Sequence, residues 1–289
     1  MIFAVLSNLS ELARNGRRSY MAVMKIRRVM SLLLTYLLIL LAVFLWQRKM
    51  MYFPARFTEA QQEEMIGDLN LQSWPSSSEP RGLIRKILPT EAKGTVLVFH
   101  GNAGAALHRS YYIDALQNLG YRVILAEYPG YGARNGSPSE TVLIEDSIAS
   151  AKMALREFKE PLFLCGESLG SGVVAGIVAS HQVPVKGVLL ITPFDSMARV
   201  AQHHYWFLLA RMLILDSYDS LSRLRDFQGN VAVLLAEQDE VIPNERTMAL
   251  FDGLQASKKL WRFENAGHNS LPMEPWLPWW QDVMRFLNR

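Results

Sequence analysis

Short apolar runs alternate with longer amphipathic stretches along most of the chain. The apolar runs, rich in β-branched and aliphatic residues, predict strands at 95–99, 121–126, 161–165, 185–192, 231–236 and 260–263. Between most of them, apolar residues recur at helical spacing and predict helices at 106–119, 139–158, 169–181, 244–254 and 275–287. Strands that are apolar on both faces and alternate with helices are typical of a parallel sheet. The pattern therefore predicts an α/β fold, a mainly parallel central sheet with helices on both faces.

Two intervals depart from this alternation. Residues 47–80 are polar and rich in turn formers, which predicts a linker, or else a ragged first part of the sheet, ahead of the main α/β domain at 81–289. The interval at about 193–230 contains the apolar stretch HHYWFLLARMLIL at 203–215. So long a connection favours helices of its own, placed at the carboxyl edge of the strands, where ligands bind in such sheets.

Residues 29–46 form an uninterrupted apolar segment, VMSLLLTYLLILLAVFLW, with no charge in 18 residues. That length is sufficient for a helix that crosses a bilayer. A cleaved signal peptide is the alternative interpretation, but the run is longer than a usual signal core and QRKMMYFP after it has no small-x-small cleavage pattern. We therefore predict a retained transmembrane anchor at 29–46.

Positive charge is concentrated in a basic amino-terminal arm at 1–28. Residues 1–49 carry a net charge of +7 and the remaining 240 residues carry −4, so the overall +3 belongs to the start of the chain. A mildly acidic body is a poor match for phosphate backbones, and we predict no nucleic-acid partner. Six basic residues precede the span and only Arg48, Lys49 and Arg56 follow it closely, which predicts a cytoplasmic amino terminus and a periplasmic or lumenal catalytic domain.

The clearest chemical signal is GESLG, with Ser168 between Gly166 and Gly170. It follows a predicted strand and opens a predicted helix, which is the context expected of a nucleophile turn. Glycines are needed there because side chains at 166 or 170 would collide with neighbouring backbone. The alternative is that the glycines only mark a turn and Ser168 caps a helix.

A serine nucleophile needs a base and an acid that orients the base, and in this architecture the acid precedes the histidine in sequence. The acid is expected after the strand at 231–236, where the chain reads EQDEVIP. We favour Asp239, with Glu237 and Glu240 as rivals. The base is expected after the last strand, where NAGHNS supplies His268. The other five histidines lie in other motifs or precede the acid.

An oxyanion hole requires backbone N–H groups aimed at the developing negative charge. The residue after the nucleophile, Leu169, should supply one. The loop HGNAG at 100–104 should supply the other, and Asn102 is the expected donor. Its glycines could instead form a phosphate nest, but the sequence has no Walker or G-x-G-x-x-G pattern.

Together, HGNAG, EYPGYGARNGSPSE at 127–140, GESLG, EQDEVIP and NAGHN resemble the α/β-hydrolase fold, and within it the membrane-anchored, single-pass serine hydrolases of the bud-emergence-suppressor-like group. The resemblance extends from Thr95 to the end and includes the anchor. It implies a Ser168, Asp239 and His268 triad with Asn102 and Leu169 as oxyanion donors. The chain departs from the group where relatives have a D-G-x-x-L-x-G-W-like hairpin, since it reads SSSEPRGLIRKILPT at 76–90 and its leading strands would be shortened or rearranged.

These residues predict a serine hydrolase that cleaves carboxylic esters or thioesters through an acyl-enzyme, with no metal or organic cofactor. The expected partners are the membrane and an acyl ester or lipid substrate, while the oligomeric state stays open. The apolar stretch at 203–215 and WLPWW at 276–280 could line an acyl pocket or touch the bilayer, although such aromatics usually pack a core. A membrane-bound serine peptidase and a non-catalytic adaptor on the same scaffold are the alternatives.

Overall fold

The computed structural model describes the side chains of residues 20–289 and the helical backbone from Ile2 onward. The chain forms two compact units, residues 1–47 and residues 48–289. Residues 1–19 of the predicted basic arm lie outside the described side chains.

A single long helix, α1 (Ile2–Met51), begins in the first unit and ends at the start of the second. Its segment Tyr20–Met51 is 32 residues long, reaches a mean hydropathy of 2.6 over 18 residues, and is only 6% buried in that window. The predicted span at 29–46 lies inside this segment. The length and composition of the helix are therefore those of a membrane anchor.

The second unit is built on a large sheet. In the part of the chain that the structure describes, the strands are β1 (Phe53–Pro54), β2 (Leu71–Trp74), β3 (Gly82–Arg85), β4 (Thr95–Phe99), β5 (Ala103–Gly104), β6 (Arg122–Ala126), β7 (Leu162–Glu167), β8 (Gly187–Ile191), β9 (Asn230–Ala236) and β10 (Lys258–Phe263). Eight of them form one sheet in the order β10-β9-β8-β7-β4-β6-β3-β2. The six strands from β10 to β6 run parallel, and β3 and β2 are antiparallel to their neighbours.

Helices cover both faces of this sheet. They are α2 (Glu59–Asp68), α3 (Tyr111–Gln117), α4 (Glu140–Phe158), α5 (Leu169–Ala179), α6 (Met197–His204), α7 (Ala210–Leu213), α8 (Ser220–Leu224), α9 (Asn244–Gly253) and α10 (Pro278–Leu287). Strand residues divide between two cores: in β4, Leu97 and Phe99 join the core with α4 and α5, whereas Val96 and Val98 join the core with α3 and α10. Because every residue of β4 is buried, the strand lacks polar alternation. The predicted mainly parallel α/β architecture is confirmed.

Of the two interpretations of residues 47–80, most of the segment matches the ragged first part of the sheet and not the linker. The compact unit begins at residue 48, and β1, α2 and β2 all lie within this segment. Their apolar signal is weak because α2 buries only Gln62 and Ile66, and β2 is an edge strand that buries only Leu71 and Trp74. The polar exposed faces of these elements concealed them in the sequence.

The leading hairpin is present although its sequence departs from the expected motif. β2 and β3 pair antiparallel, with Leu71 opposite Arg85 and Trp74 opposite Gly82. The sheet therefore retains both antiparallel strands at this edge.

The insert at 193–230 is helical, as predicted. It contains α6, α7, α8 and a 3-10 turn at Trp206–Leu208. Of the aromatic residues in WLPWW, Trp280 is buried in the core, whereas Trp276 is exposed. Packing in the core therefore explains Trp280 but not Trp276.

Candidate active site

The turn between β7 and α5 holds Ser168 in a strained backbone conformation. Its φ of 50° and ψ of −114° lie in a region that non-glycine residues rarely adopt. The turn is fixed by two hydrogen bonds, from Ser168 N to Ile191 O at 2.8 Å and from Ser171 Oγ to Ser168 O at 2.6 Å. The hydroxyl is thereby presented at the carboxyl edge of the sheet.

The flanking glycines are required by the space around this turn. A Cβ at Gly166 would lie 2.5 Å from Gly170 O, and a Cβ at Gly170 would overlap Phe99 O. Both obstacles are backbone atoms, which cannot move aside without displacing a strand or a helix. The crowding expected from the GESLG pattern is therefore present at both glycines.

Ser168, His268 and Asp239 form a continuous chain of hydrogen bonds. Ser168 Oγ lies 3.0 Å from His268 Nε2, and His268 Nδ1 lies 2.8 Å from Asp239 Oδ2. When Nδ1–H donates to the carboxylate, Nε2 is left to accept the serine proton. The three side chains follow β7, β9 and β10, so distant parts of the sequence meet at one edge of the sheet.

Asp239 is distinguished from its acidic neighbours by its contacts. Its Oδ1 accepts hydrogen bonds from the amides of Val241 at 2.9 Å and Ile242 at 2.7 Å, while Oδ2 faces His268. Glu237 instead pairs with Arg262 at 3.3 Å, and Glu240 accepts from the backbone N–H of His268 at 3.2 Å. Neither rival carboxylate bonds the imidazole ring.

The HGNAG loop lies directly beside the nucleophile. A Cβ at Gly101 would be 3.6 Å from Ser168 Cβ, which is van der Waals contact distance. Asn102 is anchored on the side of the entering chain: its Nδ2 donates to Met51 O at 2.9 Å, and its carbonyl accepts from Phe53 N at 2.9 Å and from the Tyr131 hydroxyl at 2.7 Å. With the amide side chain engaged elsewhere, the backbone N–H of Asn102 is the group left for the predicted oxyanion role. Leu169 is the first residue of α5, and helix N-termini present unsatisfied N–H groups.

A buried pair beneath the loop was not recognised in the sequence. His100 Nδ1 donates to Gly101 O at 2.7 Å and Nε2 lies 3.0 Å from Glu127 Oε1. Both ring nitrogens of His100 therefore have an oxygen partner. Glu127 also accepts from the amide of Ala106 at 3.0 Å. The signal was an acid placed directly after the buried strand β6, at the same edge as Ser168.

A second unrecognised pair lies next to the nucleophile. Arg109 donates to both carboxylate oxygens of Glu167, and the Tyr112 hydroxyl donates to Oε2 at 3.1 Å. Burial alone would raise the pKa of the Glu167 carboxyl, but the charge and hydrogen bonds of Arg109 outweigh it and hold the pKa below its ordinary value of 4.5. Glu167 occupies one of the two unspecified positions of the G-x-S-x-G pattern, so the motif locates the residue but does not indicate its pairing with Arg109.

Residues 90–217 match the sequence model of a family described as serine aminopeptidase, S33, a match that includes the HGNAG loop and Ser168 but ends before Asp239. The monoacylglycerol lipase of Paleococcus ferrophilus superposes with a TM-score of 0.52 at 19% identity, covering 68% of this chain and 93% of that one. The chain therefore has the α/β-hydrolase fold.

The curated proteins to which this chain is similar include members of the group suggested by its motifs. An uncharacterised protein of Mycobacterium tuberculosis is 34% identical over 177 residues, which are 60% of this chain and 62% of that protein. Lysophosphatidylserine lipase ABHD12 of Danio rerio is 29% identical over 184 residues, covering 57% of this chain and 48% of the lipase. Protein bem46 of Schizosaccharomyces pombe is 28% identical over 190 residues, covering 62% of each. The predicted resemblance to the bud-emergence-suppressor-like group is confirmed, and the chain spans about half to three fifths of these relatives.

Proposed function

We propose that this α/β hydrolase is a membrane-anchored serine hydrolase that cleaves carboxylic ester or thioester bonds of acyl substrates. The observation that carries the proposal is the unbroken hydrogen-bond chain from Ser168 through His268 to Asp239, with distances of 3.0 Å and 2.8 Å. A nucleophile, a base and an orienting acid in this order are what acyl transfer to water requires.

The first half of the reaction forms an acyl-enzyme. His268 Nε2 takes the hydroxyl proton of Ser168 as Oγ bonds to the carbonyl carbon of the substrate, and the carbonyl π electrons move to its oxygen. The amides of Asn102 and Leu169 stabilise this oxyanion. When the intermediate collapses, the bond to the alcohol or thiol breaks and the imidazolium returns the proton to that leaving group.

The second half restores the serine. Water replaces the departed alcohol or thiol, His268 removes one of its protons, and the resulting hydroxide bonds to the acyl carbon. Collapse of this second intermediate releases a carboxylic acid and returns the proton to Ser168 Oγ. Asp239 holds the imidazole with Nδ1–H toward its carboxylate throughout, which keeps Nε2 available as the base. Each step uses groups of the chain and water alone.

An acyl substrate is favoured by two independent features. Helix α1 would keep the enzyme among lipids, where long-chain esters are concentrated. ABHD12 is described as a lysophosphatidylserine lipase and the Paleococcus protein as a monoacylglycerol lipase, so relatives and structural neighbours of this chain act on acyl lipids. We propose that this enzyme also acts on acyl esters.

We propose that the catalytic domain lies on the periplasmic or lumenal side. The support is the excess of basic residues before the span over those after it. Protease digestion of sealed, right-side-out vesicles should remove the domain, and digestion of inverted vesicles should spare it. The reverse pattern would contradict this orientation.

A fluorophosphonate probe tests the proposed chemistry. The full chain in mild detergent should be labelled, while Ser168→Ala should not be labelled and His268→Ala should be labelled far more slowly. A folded wild-type protein that stays unlabelled and hydrolyses no ester would favour the non-catalytic adaptor.

A peptidase is the second candidate, favoured by the description of the matching family. Incubation of the same preparation with ester, thioester and aminoacyl-peptide substrates separates the two activities. We expect turnover of the esters or thioesters, and cleavage of peptides alone would replace the present proposal.

A further inference from the structure

The insert exposes a group of large apolar side chains to solvent. We define the docking patch as Tyr205, Trp206, Leu209 and Met212. Trp206 is 69% exposed and Met212 is 80% exposed, and both lie in the short helical turns between α6 and α8. Soluble surfaces rarely place several large apolar groups together, and contiguous patches of this kind mark interaction sites.

The composition around the docking patch suits a lipid surface. Residues 203–215 contain no acidic residue and one arginine, Arg211. Tyrosine and tryptophan are enriched where a protein meets the boundary between headgroups and acyl chains, because their rings are apolar at one end and polar at the other. A basic residue among them adds attraction to anionic headgroups.

The docking patch is tied to the point where the chain leaves the membrane. Arg48 follows the apolar segment at 29–46 by two residues, so the connection of the chain alone places it near the bilayer surface. Its guanidinium pairs with Asp216, with Nε 2.9 Å from Oδ2 and Nη2 3.1 Å from Oδ1. The Tyr52 hydroxyl donates to the same carboxylate at 3.0 Å. Asp216 is thus held by two residues at the start of the domain.

Chain length then limits how far the docking patch can lie from that surface. Met212 is four residues before Asp216, which allows at most about 14 Å of chain between them. The headgroup layer on each side of a bilayer is roughly 5–7 Å thick. Met212 is therefore within reach of a lipid interface that lies at the level of Arg48.

The same insert borders the candidate active site. His204, at the end of α6, donates from Nε2 to Val241 O at 2.9 Å, and Val241 N donates to Asp239 Oδ1 at 2.9 Å. Val241 therefore connects the insert, which carries the docking patch, to Asp239 of the candidate triad. A surface that binds the docking patch would lie at the rim of the reaction site.

We propose that the docking patch inserts into the bilayer interface beside the anchor and that it brings acyl substrates from the membrane to Ser168. The membrane contact stands on the exposure, composition and tether described above. The delivery of substrate rests on the proposed hydrolase function.

A fluorescent label at position 206 tests the membrane contact directly. The full chain carrying Trp206→Cys is labelled with an environment-sensitive dye and reconstituted into vesicles of zwitterionic and anionic phospholipid. Cys165 is the only native cysteine and is fully buried, so labelled wild type serves as the background measurement. Ile87→Cys is the matched control, because Ile87 is 73% exposed and lies in the β3–β4 connection, at the sheet edge opposite Ser168.

Lipids with a nitroxide near the headgroup should quench the dye at position 206 at least about threefold more strongly than at position 87. Equal quenching at the two positions would overturn the proposal. Quenching of position 206 only at high protein density, with transfer between differently labelled copies, would instead assign the docking patch to a second copy of this chain.

Activity separates the docking proposal from the proposed function. Trp206→Ser with Met212→Ser should reduce the ratio of turnover on a vesicle-embedded long-chain ester to turnover on a soluble short-chain ester by about tenfold. Ile87→Ser should leave that ratio unchanged. An unchanged ratio in the docking variant would reject substrate delivery. A wild type that is inactive on both esters would reject the hydrolase function. In that case the quenching measurement still decides whether the docking patch contacts the membrane.

Discussion

Arg109 and Glu167 form a bidentate ion pair immediately before the candidate nucleophile, with Nη2 2.7 Å from Oε1 and Nε 3.0 Å from Oε2. The two residues are 58 positions apart in sequence, and each side chain is largely shielded from solvent. The pair therefore joins the end of β7 to a 3-10 turn, Ala106–Arg109, that follows the HGNAG loop.

Removing the cation from this pair should destabilise the fold. Arg109→Met leaves the Glu167 carboxylate partly buried without its counter-charge, and we expect the free energy of unfolding to fall by about 3 kcal/mol. Urea unfolding in mild detergent, followed by tryptophan fluorescence, measures the change. Arg285→Met removes an exposed pair with Asp282 and should cost less than about 0.5 kcal/mol, so an equal loss in both variants would contradict the prediction.

The same pair predicts a pH dependence of stability. The pKa of Glu167 is lower in the folded protein than its ordinary value of 4.5, because Arg109 outweighs the effect of burial. The unfolded chain therefore binds the proton first, and the stabilisation from this carboxylate is present above about pH 5 and is lost as the pH falls through the folded pKa. Melting temperatures of the wild type and Glu167→Gln between pH 6 and pH 3 should converge as the pH falls, and parallel curves would exclude this contribution.

Asp239→Asn should reduce kcat while the fold is retained. The amide can still accept from Val241 and Ile242, but it no longer holds the His268 tautomer or balances the imidazolium, and a fall of about 10³- to 10⁴-fold in kcat is expected. Ester turnover and circular dichroism provide the two measurements. Glu237→Gln alters a half-buried carboxylate of the same loop that contacts Arg262 and not His268, and its kcat should stay within about threefold of wild type.

Gly170→Ala should prevent correct packing of the nucleophile turn. Its Cβ would overlap the Phe99 carbonyl at the end of β4, so we expect loss of soluble folded protein or of fluorophosphonate labelling. Gly67→Ala is the control, because Gly67 lies in α2 and, apart from the adjoining backbone of that helix and the two chain neighbours, no atom lies within 4 Å of the position that an added methyl group would take. That variant should be more stable by about 0.5–1 kcal/mol, and similar behaviour of the two variants would argue against steric crowding.

Glu127→Gln should slow acyl transfer without weakening substrate binding. The carboxylate positions His100 and the amide of Ala106, so its loss should disturb the loop that carries Asn102. We expect kcat to fall about tenfold or more with little change in KM, as for imperfect oxyanion stabilisation. Glu245→Gln, which alters an exposed carboxylate paired with His203, should change neither constant, and a rise in KM alone in Glu127→Gln would assign Glu127 to substrate binding instead.

The part of the fold that could be predicted is the part that is buried on both faces. The strand predicted at 95–99 coincides with β4, and the helix predicted at 139–158 begins one residue early, at the Ser139 cap of α4. Fully buried strands and long amphipathic helices give a strong signal because apolar residues occupy almost every inward position.

The elements that were missed are those that bury little. α2 contributes only Gln62 and Ile66 to the interior, and Gln62 is buried because its Oε1 accepts from Ala133 N at 3.0 Å, a contact 71 positions away. The capping box of Thr58 and Gln61 was the local sign of this helix. If the capping box is overlooked, the sequence of a polar surface helix cannot be distinguished from that of a linker.

The candidate site divides in the same way. Ser168, Asp239 and His268 were predictable because each follows a strand of a known order, and strand ends converge at one edge. The supporting pairs could not be predicted, because they join side chains that come close only in the folded structure. They involve Glu127, Arg109 and the contact of Arg48 with Asp216. Local sequence identifies the reacting groups more readily than the groups that position them.

The hydrogen bonds that Asn102 makes to Met51 and Phe53 restrict where the protein can be shortened. Removal of the apolar helix to obtain a detergent-free enzyme has to preserve the sequence from Arg48 onward. A version cut at residue 60 would lack both β1, which pairs with the end of the HGNAG loop, and the partners of Asp216. Its weak turnover would report the truncation boundary and not the intrinsic chemistry of the enzyme.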